Sequence, residues 1–197
     1  AVTTLSHRFD EKVEELSFVR MFGDALAQCR TIRSICNCVV SLIQETIAPE
    51  NCSIFVMDGD ECILRSAMGT FDDQATYFEA EKSSTVFRFD EGVIGEAIAS
   101  KQTIRIDDTR VDHRFVERPD SNIRPRSLLV VPLIYAERVV GIVNLSDSEL
   151  EAFEPRHERL LVIAANATAL AFETATLFAE VSASREQLEE ENEALKQ

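Results

Sequence analysis

The sequence is poor in basic residues and has no long apolar run. It holds 20 Lys and Arg against 35 Asp and Glu, a formal net charge of -15. Phosphate groups are bound by clustered Lys and Arg, so this balance argues against nucleic acid and anionic membranes as partners. No apolar run approaches the roughly 20 residues that span a bilayer, and the N-terminus shows no signal-peptide pattern. We therefore expect a cytoplasmic location and no membrane contact.

Cysteine is scarce and shows no metal or disulfide pattern. The five cysteines are an odd number and lie in apolar segments, which indicates reduced thiols that serve as small hydrophobes. Cys36 and Cys38 are two apart on a predicted helix, so their side chains point about 200° apart and cannot bind one metal ion together. Neither a zinc motif nor a disulfide framework is predicted.

Three long helices are predicted in a single domain, because 197 residues with 45% hydrophobic content suffice for one core. Thr31 can cap a helix that ends before Pro49. Pro155 fits the first turn of a long helix that extends through Thr174. Residues 5–28 are predicted to form an amphipathic helix that needs a partner, on the spacing of Leu5, Phe9, Val13, Leu16, Val19 and Leu26.

The clearest β signal is a hairpin whose turn is centred on Gly59 in the run D-G-D. The register that follows from this turn places Cys52 opposite Ser66 or Ala67. It therefore keeps Cys52 away from Cys62, on the other strand of the hairpin.

Three further strands are predicted. Residues 127–135 and 138–145 are nearly continuously apolar, which is typical of central strands covered on both faces. Pro132 cannot donate to the ladder and marks a bulge or an edge. Residues 86–89 form a short strand. Between the hairpin and that strand, the polar residues 70–84 are expected to form a loop or short helix that acts as a lid.

Residues 89–115 are predicted to form the wall of a pocket, because a helix, a strand and a loop follow one another without a spacer. Asp90 can cap a helix that ends near Ser100, and residues 103–106 alternate like a strand. The loop at residues 107–126 is long and polar. Loops of this kind in compact domains are usually functional or mobile.

A seven-residue spacing in the tail predicts the start of a coiled coil. The a positions of the heptad are Phe178, Arg185 and Asn192, and the d positions are Val181, Leu188 and Leu195. A frayed acidic tail is the alternative interpretation. The chain begins without Met and ends within a heptad, so we expect it to be part of a longer protein.

Five blocks in order resemble the GAF domain, a small-molecule-binding and dimerising module of bacterial signalling proteins. They are the helix before E-N-C-S-I-F-V-M-D, the block of Phe87 and Glu91 to Ala99, the strand and loop T-I-R-I-D-D-T-R-V-D-H-R-F, the pair S-L-L-V-V-P-L and V-V-G-I-V-N-L, and the closing helix L-L-V-I-A-A-N-A-T-A-L-A-F-E-T-A-T-L-F.

The resemblance covers about residues 31–178 and implies an α+β fold. Its antiparallel sheet carries the N- and C-terminal helices on one face and a ligand pocket under loops on the other. Residues 1–30 are then an N-terminal amphipathic helix, and residues 179–197 begin a coiled-coil linker to an output domain.

Departures from the family's motifs argue against three known activities. Cyclic-nucleotide-binding members have an Asn-Lys pair, whereas Asn144 is followed here by Leu145, and His157 takes a later acidic position. Bilin-carrying members use a loop Cys, and residues 107–127 contain none. Members that repair methionine sulfoxide need cysteines at the pocket. The five cysteines of this chain are expected in the early helices and the hairpin instead. We therefore expect no enzymatic activity.

The resemblance also indicates which residues line the pocket. An isolated cation there, Arg65, would suit an anionic ligand, although a solvent-facing Arg65 is equally compatible with the sequence. The full predicted lining is Arg65, Met68, Phe71, Val93, Ile94, Ile98, Ile106, Phe115, Ser127 and Leu129.

The polar loop offers weak candidates for metal ligands. Carboxylates and an imidazole are the ligand set of non-haem iron sites, and some nitric-oxide-sensing members of the family hold iron in the pocket. The single loop His could equally serve as an axial ligand of haem. The alternative is a solvated loop held by Asp-Arg pairs. The candidate ligands are Asp107, Asp108, Asp112 and His113, and the cofactor remains unknown.

The expected function is a non-catalytic sensory domain. It would bind a small molecule, form a parallel homodimer through its first and last helices, and control a C-terminal output domain. The tail resembles the linker of sigma-54-dependent transcription activators. There are three alternatives. The output could be a histidine kinase or a cyclic-di-GMP enzyme, the domain could be a ligand-free structural dimerisation module, or it could be a thiol-dependent redox enzyme.

Overall fold

The computed structural model describes residues 2–59, 61–71, 74–79, 86–88, 92–117 and 124–194. These residues form four helices, which are α1 (Val2–Leu26), α2 (Ile32–Thr46), α3 (Gly92–Ser100) and α4 (Pro155–Ala194). They form seven strands, which are β1 (Asn51–Asp58), β2 (Glu61–Phe71), β3 (Gln74–Glu79), β4 (Val86–Arg88), β5 (Ile104–Ile106), β6 (Ser127–Tyr135) and β7 (Arg138–Asp147).

The described strands form one antiparallel sheet in the order β3-β2-β1-β7-β6-β5, with β4 paired to the other end of β2. This confirms the predicted fold class. The expected lid at residues 70–84 is wrong in part, because β2 runs through Phe71 and residues 74–79 pair with it as β3. The run T-Y-F at residues 76–78 is rich in β-formers, so it extends the hairpin instead of leaving the sheet.

Two apolar cores lie on opposite faces of the sheet. The helix-face core joins α1, α2 and α4 to residues such as Ile54, Leu129 and Val143. The α3-face core joins α3 to residues such as Phe55 and Ile142. The first and last helices therefore share one face, as the sequence predicted, and α3 lies on the other.

α1 packs on α2 and α4 with a face that the sequence did not indicate. Its buried side chains are Phe18, Phe22 and Leu26. Leu26 is the one member of the predicted apolar stripe that is buried among those with described side chains, whereas Phe9 at 67% and Leu16 at 69% exposure point outward. Because α1 is apolar on two sides, periodicity alone could not choose the inner one.

The ends of α2 and the start of α4 agree with the sequence. The backbone N–H of Ser34 donates to Thr31 Oγ1 at 3.1 Å, which completes a capping box at the start of α2. α4 begins at Pro155. By length and composition, α4 contains one stretch that could cross a membrane, and 44% of that stretch is buried inside the domain.

A bulge shifts the register of the β1–β2 hairpin. The pairing moves from Ile54 with Ser66 to Phe55 with Leu64, which leaves Arg65 as an extra residue. Cys52 therefore lies opposite Met68, one position beyond the prediction. The expectation that the two hairpin cysteines lie apart is nevertheless confirmed.

Candidate functional site

The α3 face of the sheet has a polar centre, which we call the polar floor. Asn51 and Ser53 of β1 point to this face, as do Asn144 and Ser146 of β7, because side chains alternate along each strand and Phe55 belongs to the α3-face core. Asn51 is paired with Ser146, and Ser53 with Asn144. Two amides and two hydroxyls thus lie side by side on the central strands.

The two sides of the polar floor differ in size and chemistry. On the β2 side, its neighbours are Ala67 and Gly69, which have almost no side chain. On the β6 side, they are the buried Leu128 and Val130. The polar floor is therefore bordered by small side chains on one side and by apolar side chains on the other.

Asn51 is the most constrained residue of the polar floor. Its side chain lies over Gly69, where an added Cβ would be 2.2 Å from Asn51 Oδ1. Asn51 is 4% exposed, and Oδ1 has no hydrogen-bond partner among the described residues. A buried polar group without a partner costs about 1–3 kcal/mol. A hydrogen-bond donor placed at the polar floor would remove that cost.

Five predicted lining residues do come together above this face. They belong to the α3-face core or pack against it, and they are Val93, Ile94, Ile98, Ile106 and Phe115. The sequence placed them correctly because helix and strand periodicity marked their apolar sides. Their contact with a ligand stays a prediction.

The loop after β5 is fastened to α3 by Arg114. Its guanidinium donates to both carboxylate oxygens of Asp112, Nε to Oδ1 at 2.8 Å and Nη2 to Oδ2 at 2.6 Å. Arg114 Nη1 lies 3.5 Å from Glu96 Oε1 on α3. Hydrogen bonds from the Arg114 side chain lower the pKa of Asp112 to about 2. Gly92 begins α3 with φ +63, in the left-handed region. A Cβ added there would lie 3.7 Å from the Arg114 carbonyl oxygen.

Replacing Asp112 by Asn should destabilise the domain at neutral pH but not in acid. The folded pKa is below the unfolded one, so the carboxylate stabilises the fold above about pH 4, and this contribution is lost as the pH falls towards about 2. We expect Asp112→Asn to lower the free energy of unfolding by about 0.5–1 kcal/mol at neutral pH. Urea unfolding at pH values from about 7 to 3 measures the difference.

The matched control is Asp107→Asn. The Asp107 carboxylate is 56% exposed and lies 3.4 Å from Arg105, in a contact without the two-point geometry of the Asp112 pair. It should change stability by less than about 0.5 kcal/mol. A deficit of Asp112→Asn that stays the same from neutral to acid pH would contradict the assignment.

The candidate metal ligands do not converge. No group of three or more His, Cys, Asp or Glu side chains that could hold a metal ion occurs within the described part of the chain. Asp108 pairs with Arg126 at 3.2 Å, Asp112 with Arg114, and Asp107 with Arg105. His113 is exposed. Each of the three carboxylates already has a cationic partner, and metal binding by this loop stays a prediction.

Four predicted lining residues lie on the opposite face. Met68 and Leu129 pack in the helix-face core, and Arg65 lies near the Cys36 thiol of α2. Ser127 alternates with Leu128 and so shares the Leu129 face, and its hydroxyl donates to the Glu149 carbonyl at 2.9 Å.

The physical reasons for these corrections are strand parity and the bulge. One residue of error in parity moves a side chain to the other face of a sheet. Arg65 is the bulged residue itself, so an alternation counted from the turn fails there. The last predicted lining residue is Phe71, and its side chain lies outside the described residues.

The polar floor was not predicted from the sequence, although a signal was present. Asn51 and Ser53 occupy alternate positions in N-C-S, and Asn144 and Ser146 do so in N-L-S, next to strongly apolar residues. Polar residues at every second position of a central strand mark one face. Which face they occupy depends on the pairing of β1 with β7, which only the structure gives.

Solved structures with the same architecture come from proteins of several activities. The GAF domain of a phosphoenolpyruvate-protein phosphotransferase from Coxiella burnetii has a TM-score of 0.71 and 20% identity, over 84% of this chain and 96% of that one. A free methionine-R-sulfoxide reductase from Neisseria meningitidis gives 0.68 and 19%, over 83% and 90%. A methyl-accepting chemotaxis protein gives 0.68 and 16%, over 80% and 98%. At these identities they share the fold alone.

No curated protein matches the chain. The sequence profile of the GAF domain matches residues 29–173, which is most of the chain and includes all seven described strands. On this match, and on the sheet with helices on one face and α3 on the other, the chain belongs to the GAF domain family.

Proposed function

We propose that this chain is a cytoplasmic sensory domain that binds a small, uncharged polar molecule at the polar floor. GAF domains are generally sensory or regulatory modules. The polar floor is the feature of this chain that suggests the chemical class of the ligand. The buried Asn51 amide oxygen without a described partner carries the proposal. A ligand with hydrogen-bond donors and acceptors would match the amide and hydroxyl pairs of β1 and β7.

An uncharged ligand fits the charges on this face better than an anion does. Arg114 is engaged by Asp112 and Glu96, and Arg126 by Asp108. Arg65, which suggested an anionic ligand, lies on the helix face. The guanidinium groups of Arg114 and Arg126 are therefore already paired with carboxylates.

The positions of the cysteines favour a domain without catalysis. Thiol-dependent repair of methionine sulfoxide would need two cysteines close together at the pocket. Cys62 belongs to the α3-face core, but the other four belong to the helix-face core or pack against it. Burial raises the pKa of Cys62 to about 12, so its thiol is not a nucleophile at neutral pH.

A ligand at the polar floor would act on α4 through β7. Asn144 lies between Val143 and Leu145, whose side chains enter the helix-face core beside α4. α4 is one helix from Pro155 to Ala194, so a shift at its sheet end moves its far end as well. The ligand can bias this movement only if it binds two packing states with unequal affinity.

The far half of α4 offers a surface for a parallel homodimer. Four exposed apolar side chains, which we call the α4 stripe, lie within about 20° of one line along the helix. They are Leu170, Leu177, Val181 and Leu188. The outward apolar face of α1 lies on the same side of the sheet, and we propose that both helices contribute to the dimer.

The output that we propose is transcription control by a C-terminal domain. Its support is the acidic helical sequence at the end of α4, which is similar to the linker of sigma-54-dependent activators. A histidine kinase or a cyclic-di-GMP enzyme could be driven by the same helix. A dimer whose polar floor binds nothing would instead be a structural module.

Ser53→Val should abolish binding of the small molecule, because it replaces a hydroxyl of the polar floor with a larger apolar group that cannot form a hydrogen bond. Purified protein is denatured, and the released small molecules are identified by mass spectrometry. We expect a compound in stoichiometric amount from the original chain and at least about a tenfold loss from the variant, which corresponds to roughly 1.4 kcal/mol.

Ser17→Val is the matched control, since Ser17 is exposed on α1 and remote from the polar floor. It should retain the compound. An equal yield from Ser53→Val, or no compound from the original chain, would count against a sensor that binds at this face.

A further inference from the structure

Two of the five cysteines lie together at the junction of α1 and α2. Cys29 is in the connection after α1, and Cys38 is in the second turn of α2. Both side chains are half-buried, whereas Cys36, Cys52 and Cys62 are buried. Of the five thiols, these two are therefore the ones that a small reagent can reach.

The backbone of α2 places the two sulphurs near each other. Cys29 Sγ donates to the Ser34 carbonyl at 3.4 Å. In an α-helix that carbonyl also accepts the backbone N–H of residue 38, and the Cβ of residue 38 leans back towards it. The Cys29 thiol thus lies at the base of the Cys38 side chain, close enough to influence the pKa of Cys38.

We infer that Cys29 and Cys38 form an oxidative modification site, at which a peroxide or a small disulfide converts the two thiols into an intramolecular disulfide. With hydrogen peroxide, the Cys29 thiolate attacks one oxygen and becomes a sulfenic acid, with release of hydroxide. The Cys38 sulphur then attacks the Cys29 sulphur, and water leaves. Two electrons pass from the two sulphurs to the peroxide.

The environment of Cys38 gives the order of these steps. Burial, with the neighbouring Cys29 thiol as a further cause, raises the pKa of Cys38 to about 11. Cys38 therefore stays protonated at neutral pH and serves as the resolving thiol. Cys29 lies on the connection between helices, where the backbone can move to bring the sulphurs to bonding distance.

The disulfide would join the end of α1 to the second turn of α2. α2 packs on the sheet, and α1 carries the outward apolar face with Phe9 and Leu16. Oxidation would therefore fix the direction of α1 relative to the sheet. This consequence does not depend on a ligand at the polar floor, and reduced thiols in a reducing compartment are the starting state that it requires.

The test counts thiols before and after oxidation. The fully reduced chain is treated with hydrogen peroxide or oxidised glutathione, quenched and denatured, and its free thiols are titrated. We expect five thiols to fall to three, with a Cys29–Cys38 cross-linked peptide in the mass spectrum of a non-reducing digest. Dithiothreitol should restore all five.

Cys29→Ser and Cys38→Ser should each keep their four remaining thiols, whereas Cys62→Ala should lose two and still give the cross-linked peptide. Because Cys29 is outside the helices, Cys29→Ser remains informative even if Cys38→Ser fails to fold. Five thiols that persist while a reference dithiol is oxidised, a cross-link between other cysteines, or a disulfide-linked dimer through Cys29 would each overturn the inference.

Discussion

Gly141→Ala is expected to destabilise the domain by about 3 kcal/mol, at the upper end of the range for overpacked cores. A Cβ at Gly141 would lie 2.4 Å from the Phe55 carbonyl oxygen and 2.9 Å from Leu133 Cδ1. The first of these atoms is backbone of the neighbouring strand, so it cannot rotate away. Relief requires β7 to move away from β1 at the pairing of Gly141 with Val56. Urea unfolding followed by circular dichroism measures the change.

Gly23→Ala is the matched control, because a Cβ there meets nothing within 4 Å. Gly23 lies inside α1, where Ala is favoured over Gly by up to about 1 kcal/mol. The control should therefore leave stability unchanged or raise it. Equal, small effects at both positions would show that β7 can move away from β1 at little cost.

These two glycines illustrate what the sequence could and could not predict. Both occur among apolar residues at positions that periodicity assigns correctly to a helix and a strand. The spacing of residues along one element decides whether that element forms, and most elements were predicted for this reason. The space around Gly141 depends on Phe55 and Leu133, which reach it from two other strands. Such cross-strand distances are not encoded in local spacing.

The candidate site divides along the same line. Val93, Ile94 and Ile98 were assigned to the correct face because α3 has a single apolar side. Met68 and Leu129 were assigned to the wrong face because their strands are apolar on both sides, so that parity had to be guessed. Burial on both faces removes the alternation that would otherwise reveal direction.

The same ambiguity affects the proposed dimer surface, for which the structure indicates a different set of residues. The heptad in the tail placed Phe178 at a central seat. Leu170, Leu177, Val181 and Leu188 instead form a line with steps of seven, four and seven residues, and each is 50–68% exposed. Phe178 is 65% exposed but lies about 100° around the helix from its neighbour Leu177. The α4 stripe therefore begins within the domain, earlier than the tail alone indicates.

The double substitution Leu177→Glu and Val181→Glu is expected to convert a dimer into monomers. Burying a Leu or Val side chain contributes about 1.5–3 kcal/mol, and each substitution acts in both copies. The dissociation constant should therefore rise by more than about a hundredfold. Sedimentation velocity at micromolar concentration measures it, and circular dichroism should show an intact fold, because both residues are exposed.

Two control variants test whether the α4 stripe itself joins the two copies. Val111→Glu introduces the same charge at an 82% exposed residue of the loop after β5, and it should leave the dimer intact. Phe178→Glu tests the register. If the line from Leu170 to Leu188 is the contact, this variant stays dimeric, whereas the tail heptad requires it to dissociate. A monomeric original chain, or a dimeric double variant, would remove α4 as the surface that joins two copies. The signal from the polar floor would then have to leave the domain by another element.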